Sequence, residues 1–378
     1  MRTTQRAGRP TTHAWAAGVV LTLLLAGCAS EQPADTPRPR RPEEVRAQIV
    51  QMLPASVADR AGWATDIYAA FSALGITPDA ARLCGVLAVT EQESTFRADP
   101  TVPQLGKIAW EEIDRRAEKM GIPKLLVHGA LQLASRNGKS YSERIDAVKT
   151  ERELSEIFED FIDMVPMGKR LFANYNPVHT GGPMQVSVDF AEQHARNKPY
   201  PYPVAGSIRH EVFTRRGGLY FGIAHLFDYP AQYDKLVYRF ADFNAGQYAS
   251  RNAAFQNAVS LASGIPLVLD GDLVRHGDDA DKPGSTEVAV RALGKQLDLG
   301  ESAIRRALEQ GDSADFERST LYKRVFELAE RIEQRALPRA VMPRITLHSP
   351  KITRKLSTEW FATRVDDRHR RCMARAAG

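Results

Sequence analysis

Glu93 is the residue that the sequence places best for chemistry. It lies in Glu91-Gln92-Glu93-Ser94-Thr95-Phe96, directly after the run Leu83-Cys84-Gly85-Val86-Leu87-Ala88-Val89-Thr90. A carboxyl leaving an apolar surface is costly as a charge and keeps its proton toward neutrality, as a general acid for glycosidic cleavage must. Three- and four-residue spacing puts Glu93 on one helical face with Val86, Val89 and Thr90. Glu91 lies about 200° round the same helix and is read as solvated or ion-paired. Two-carboxylate hydrolysis needs a second acid across the bond. Asp99 and Asp189 are the candidates for it, and neither has a convincing context. His179, in Asn176-Pro177-Val178-His179-Thr180, reads as an ordinary loop histidine. Gly277-Asp278-Asp279-Ala280-Asp281 lacks the ligand spacing and closing glutamate of a calcium loop. No metal-binding His-Glu-x-x-His, nucleophile elbow or phosphate loop is present, so neither metal nor cofactor is expected.

A helix must carry this acid. Thr77 reads as its N-cap, with Pro78 at the first helical position, and the apolar character all round predicts a core helix. Before it, Ser56 to Leu74 forms an amphipathic stripe that Gly75 closes. Residues 151–165 place Leu154, Ile157, Phe158, Phe161, Ile162 and Val165 on one face and acids on the other. Tyr175 to Pro183 reads as a loop. Met184 to Arg196, Leu219 to Phe243 and 286–335 read as helical. Between Gly264 and Ser285 the chain is loop-rich, with room for a short strand. The fold class expected is mainly α.

The N-terminus has a different purpose. Arg2, Arg6 and Arg9 precede the short apolar segment Ala14 to Gly27. This is the pattern of a secretory signal rather than a membrane span. Leu25-Ala26-Gly27-Cys28 resembles the lipobox of bacterial lipoproteins. That resemblance implies acylation of Cys28, palmitate among the acyl groups. It also implies a lipid anchor in the outer membrane facing the periplasm, because Ala29 and Ser30 follow the cysteine. The polar, Pro-rich stretch from Ala29 to Glu44 reads as a tether. Cys84 and Cys372 are the remaining cysteines. In an oxidising compartment they are either a disulfide tying the C-terminal tail to the body or two buried thiols.

Three stretches in order carry a further resemblance. Gln92-Glu93-Ser94-Thr95-Phe96 resembles the Glu-Ser-x-Phe signature of lysozyme-like lytic transglycosylases. Gly182-Pro183-Met184-Gln185-Val186-Ser187 resembles the Gly-Leu-Met-Gln element of that family. Ala241-Asp242-Phe243-Asn244-Ala245-Gly246-Gln247-Tyr248 resembles its Ala-x-Tyr-Asn-Ala-Gly element. Gly222-Ile223-Ala224-His225-Leu226 falls where the family has Gly-x-x-Tyr-Leu. The resemblance spans about residues 60–260. It implies a peptidoglycan-cleaving enzyme with Glu93 as the catalytic acid and base. It also implies that Ser94, Met184, Gln185, Phe243, Asn244 and Tyr248 bind substrate. The chain departs from the pattern at Pro183, at Phe243, where the family has an orienting tyrosine hydroxyl that Tyr248 would have to replace, and in length. Between Glu93 and Gln185 lie 91 residues, far more than in the family. The chain as a whole also resembles a proteobacterial lipoprotein family of unknown function.

The expected organisation follows from these readings. A lipoprotein signal at 1–27 and a linker at 28–45 precede a lysozyme-like helical domain at 46–263, with a helical insertion at about 100–180. A helical extension with a basic tail occupies 264–378. The 378 residues carry 51 Lys and Arg against 46 Asp and Glu, a net charge of +5. That balance suits an anionic wall or lipid surface, and export argues against nucleic acid. The expected partners are peptidoglycan strands, the membrane through the anchor, and cell-wall enzymes. The competing expectation is a lysozyme-like lipoprotein that binds or scaffolds the wall without cleaving it.

Overall fold

Eight consecutive residues, Leu83 to Thr90, are buried, so the helix ahead of Glu93 is wrapped on all sides. It is the third of three helices that open the folded body. These are α1 (Pro42–Met52), α2 (Arg60–Leu74) and α3 (Ala80–Ser94). The computed structural model describes residues 40–164, 166–347 and 356–377. The expected signal segment, Cys28 and the tether up to residue 39 lie outside them. The tether, expected to reach residue 45, gives way to α1 at Pro42.

Local chemistry sets the helix ends. Gly75 closes α2 in the left-handed conformation (φ 67°), which glycine adopts without steric cost. The cap of α3 differs from the sequence expectation. Asp79, rather than Thr77, takes the extended cap backbone, and its carboxylate accepts the N–H of Arg82 at 2.8 Å. Thr77 and Pro78 therefore stay outside the helix, with an Asp answering one of the orphan N-terminal donors. At the far end Thr95 (φ 52°) and Phe96 (φ 58°) are both left-handed and turn the chain sharply away after Ser94.

The expected insertion is helical. It holds α4 (Leu105–Lys119), α5 (Lys124–Ala130), α6 (Tyr141–Ala147), α7 (Glu151–Asp163) and α8 (Gly168–Phe172). The starts of α6 and α7 are reciprocal capping boxes, Ser140 with Glu143 and Thr150 with Glu153. Leu105, Tyr141, Ile145, Leu154 and Ile157 form their own small core.

The expected loop from Tyr175 to Pro183 ends in a hairpin. β1 (Thr180–Gly181) pairs antiparallel with β2 (Val186–Ser187). Helix α9 (Val188–Asn197) starts only there, with Ser187 as its cap. Met184 and Gln185, expected at a helix start, are instead in the hairpin turn. Then come α10 (Ile208–Val212), α11 (Arg215–Phe227) and α12 (Leu236–Ala245). The continuous helix expected over Leu219 to Phe243 is broken after Phe227, since Pro230 cannot continue it.

The remaining helices are α13 (Ala249–Ser263), α14 (Ser285–Ala292), α15 (Gly294–Leu297), α16 (Glu301–Leu308), α17 (Thr320–Glu333) and α18 (Thr358–Ala377). Residues 264–284 contain no strand, but loops and a short 3-10 turn at Gly277–Asp279. The second two-stranded pair is β3 (Thr346–Leu347) with β4 (Leu356–Ser357).

The expected boundary at 263/264 does not separate the cores. Phe255, Ala258 and Val259 of α13 pack with α14–α17. Phe361, Ala362 and Val365 of α18 return to the core of α1–α3, α9, α11 and α12. Pro42–Gly378 is one compact unit, and it is mainly helical. None of the described helices is long and apolar enough to cross a membrane.

Candidate functional site

Glu93 stands one turn beyond Thr90 on α3, half-buried, while Val86, Val89 and Thr90 beneath it are fully buried. The sharp left-handed exit at Thr95 and Phe96 ends the helix just past the acid. Phe96 anchors that exit, since its ring meets Trp63 of α2 edge-on at 5.6 Å. Glu91 faces the other way and is ion-paired with Arg368 of α18 at 3.6 Å. Ser94 is buried and its hydroxyl is engaged: it donates to the Thr90 carbonyl at 3.0 Å and accepts the Arg97 N–H at 3.3 Å.

Gly182-Pro183-Met184-Gln185 forms the whole turn of the β1–β2 hairpin. Gly182 is left-handed (φ 72°), and a Cβ there would stand 2.1 Å from the Val212 carbonyl. No other residue fits without moving backbone. Gln185, also left-handed (φ 50°), closes the turn by donating its N–H to the Gly182 carbonyl at 3.1 Å. Its side-chain amide adds a second bond to that carbonyl at 3.2 Å. Met184 is wholly buried and packs on Gly222 of α11, where a Cβ would meet its Sδ at 2.5 Å.

The third stretch is a helix–turn–helix corner. Gly246 (φ 109°) and Tyr248 (φ 68°) turn the chain from α12 into α13. Asp242, which sequence reasoning did not single out, holds the corner from inside. It accepts hydrogen bonds from the hydroxyls of Tyr233 (2.6 Å) and Tyr229 (3.1 Å) and from the N–H groups of Tyr248 (3.1 Å) and Ser250 (2.7 Å). Burial pushes its carboxyl above the usual range despite these donors. Tyr248 is buried, with the Arg251 guanidinium over its ring at 4.1 Å. Asn244 accepts the Thr358 hydroxyl at 2.9 Å, so its amide oxygen is directed to α18. The Phe243 ring packs on His225 at 5.1 Å, and the Phe243 carbonyl accepts from the histidine Nε2 at 3.3 Å. Burial lowers His225 to a pKa of about 4, and its Nδ1 has no hydrogen-bond partner.

Val86, Val89, Phe96, Met184 and Phe243 belong to one core. The three stretches are thereby joined through their buried residues. The other candidates are dispersed. Asp99 is bridged to Arg152 at 2.9 Å, and burial raises its carboxyl. Asp189 is exposed in the first turn of α9. Cys84 and Cys372 form a disulfide with Cα atoms 5.5 Å apart.

Among the clefts formed by the described residues are two that Glu93 does not line. A polar cleft of about 560 Å³ lies between α9, the end of α11 and the loops at 245–247 and 271–274. His194, His225, Asp228, Gln247 and Asp272 are among its walls. His194 Nε2 lies 3.0 Å from Asp228, which also binds Lys198 at 2.6 Å. Only chain folding brings these groups together, so no local spacing could have announced them. The second cleft, of about 1130 Å³, is apolar and lies in the insertion, with His179 on its wall.

Residues 56–375 match a family model described as a protein of unknown function, DUF1615. The chain belongs to this family. The DUF1615 span begins just before α2 and ends within α18, so it leaves out α1 and takes in the disulfide. The chain is also similar to the uncharacterized protein YaiW of Escherichia coli (strain K12). The two are 56% identical over 355 residues, which is 94% of this chain and 96% of the relative. No solved structure matches the chain.

Proposed function

We propose that this DUF1615 protein has a lysozyme-like catalytic body that cleaves the bond between N-acetylmuramic acid and N-acetylglucosamine in peptidoglycan. On this reading it is lipid-anchored at Cys28 and works on the periplasmic face of the outer membrane. One observation carries the proposal. The buried residues beneath Glu93, the hairpin-turn Met184 and the corner residue Phe243 share a single core.

One carboxyl suffices for the chemistry. Glu93 gives its proton to the leaving glycosidic oxygen as the bond to the muramoyl C1 breaks. The carboxylate then takes the proton of the muramoyl C6 hydroxyl as that oxygen bonds C1 and closes a 1,6-anhydro ring. No water is consumed, and the second carboxylate of hydrolysis is not needed.

A second reading is favoured by specific contacts. Phe243 has no hydroxyl to orient the acid, the Asn244 amide oxygen is taken by Thr358, and the Ser94 hydroxyl by backbone. A protein with these groups engaged would bind glycan strands without cutting them. Incubation with purified sacculi separates the two. Release of soluble fragments that stops in Glu93→Gln supports cleavage. Sedimentation with sacculi, but no release by either form, supports binding alone.

A further inference from the structure

The larger of the two clefts is in the insertion, away from Glu93. Its interior is walled by Leu105, Ile108, Leu131, Leu154, Ile157 and Phe161. A sugar or peptide placed there would lose hydration without gaining partners, at a cost of several kcal/mol per group by the usual estimate of about 2–7. These six side chains favour hydrocarbon, while Glu151, His179 and Thr180 add polar groups to the wall. With a volume of about 1130 Å³, the cleft has room for on the order of thirty to forty methylene-sized groups, at about 30 Å³ each.

The mouth has a different character. Arg115 and Arg116 both reach it and share one carboxylate, Glu112, at 2.7 and 2.5 Å. Arg116 also donates to the Tyr175 carbonyl at 2.6 Å, whereas the Arg115 side chain is 65% exposed. The other acid of the wall, Glu151, is buried and engaged within the protein. Beside the arginines the lip is apolar yet solvent-facing: Leu126 is 65% exposed and Tyr175 55%. Exposed Leu125 and Met120 adjoin it along the chain, and Phe172 packs near Tyr175 at 6.4 Å. Apolar surface gathered at a mouth, rather than scattered singly, marks a contact site.

We propose that this cleft binds an amphiphile with an anionic head, its aliphatic tail inside the insertion and its head at Arg115 and Arg116. The proposal is independent of the reading of Glu93. A free fatty acid and an acidic membrane lipid share this chemistry.

The test uses the full chain carrying C28S, so that no acyl group of its own competes. Saturable binding of a dansylated undecanoic acid, displaced by palmitate, is expected. Extraction of phosphatidylglycerol from vesicles, read by mass spectrometry of the bound fraction, would add membrane lipid to the sources. Ala109→Trp fills the interior, and Leu126→Asp charges the exposed lip without disturbing the core. Each should weaken probe binding about tenfold or more, equivalent to about 1.4 kcal/mol. Should Ala109→Trp fail to fold, Leu126→Asp alone decides. Undiminished binding in Leu126→Asp, or no saturable binding of the probe and no lipid extracted, overturns the proposal.

Discussion

Cys372, near the end of α18, is disulfide-bonded to Cys84 of α3, the helix whose last turn carries Glu93. His369 of the same helix donates to the Ala81 carbonyl at 3.0 Å, and Arg368 pairs with Glu91. The C-terminal helix is thus fastened along the back of the catalytic-candidate helix. The bond closes a chain separation of 288 residues, and a long closed loop restricts the unfolded chain strongly. Replacing both cysteines by serine should cost on the order of 2–5 kcal/mol, read as a lower unfolding midpoint in denaturant. An unchanged midpoint would show that α18 docks by packing alone.

Asp242 should be worth more to the fold than its place beside Asn244 suggests. Asp242→Ala leaves two tyrosine hydroxyls and two backbone N–H groups without their acceptor. The expected loss is on the order of 3 kcal/mol, seen in urea unfolding. Asp242→Asn keeps an acceptor oxygen and should lose less.

Acid should loosen the same corner through His225. Its folded pKa is depressed from 6.5 to about 4, so the unfolded chain binds the proton first. The stability this group contributes is full above about pH 6.5 and falls as the pH drops toward 4. Between pH 7 and 4.5 the loss is about 2 kcal/mol. His225→Leu should remove that part of the pH dependence in denaturant titrations at the two pH values. An identical acid loss in the variant would assign it to other groups.

Gly222 should be intolerant of the smallest addition. A Cβ there would lie 2.5 Å from Met184 Sδ and 2.7 Å from Met184 Cβ. A thioether can swing away, but a Cβ moves only with its backbone. Gly222→Ala should therefore displace the hairpin turn and cost about 1–3 kcal/mol, checked by thermal unfolding.

Much of this was legible because it is local. Gly75 stops α2, an all-apolar run makes α3 a core helix, and the face of Leu154, Ile157 and Ile162 gives α7. Two cysteines besides Cys28 made a disulfide one of two outcomes. What was not legible depends on packing or on competing caps. Asp79 overrode Thr77, and Pro230 broke a run whose hydrophobicity looked continuous. The Gly182–Gln185 turn displaced a helix start because Val186 and Ser187 pair back with Gly181 and Thr180. The return of α18 to the first core, the capping role of Asp242 and the cleft of the insertion all join residues far apart in sequence.

The most direct test of the central claim measures what Glu93 releases. Sacculi are incubated with the protein in heavy-oxygen water, and the soluble muropeptides are weighed. The proposed chemistry predicts products with 1,6-anhydro ends, lighter by one water than hydrolytic products and free of heavy oxygen, and none from Glu93→Gln. Heavy oxygen in the products, or equal release by Glu93→Gln, would contradict it.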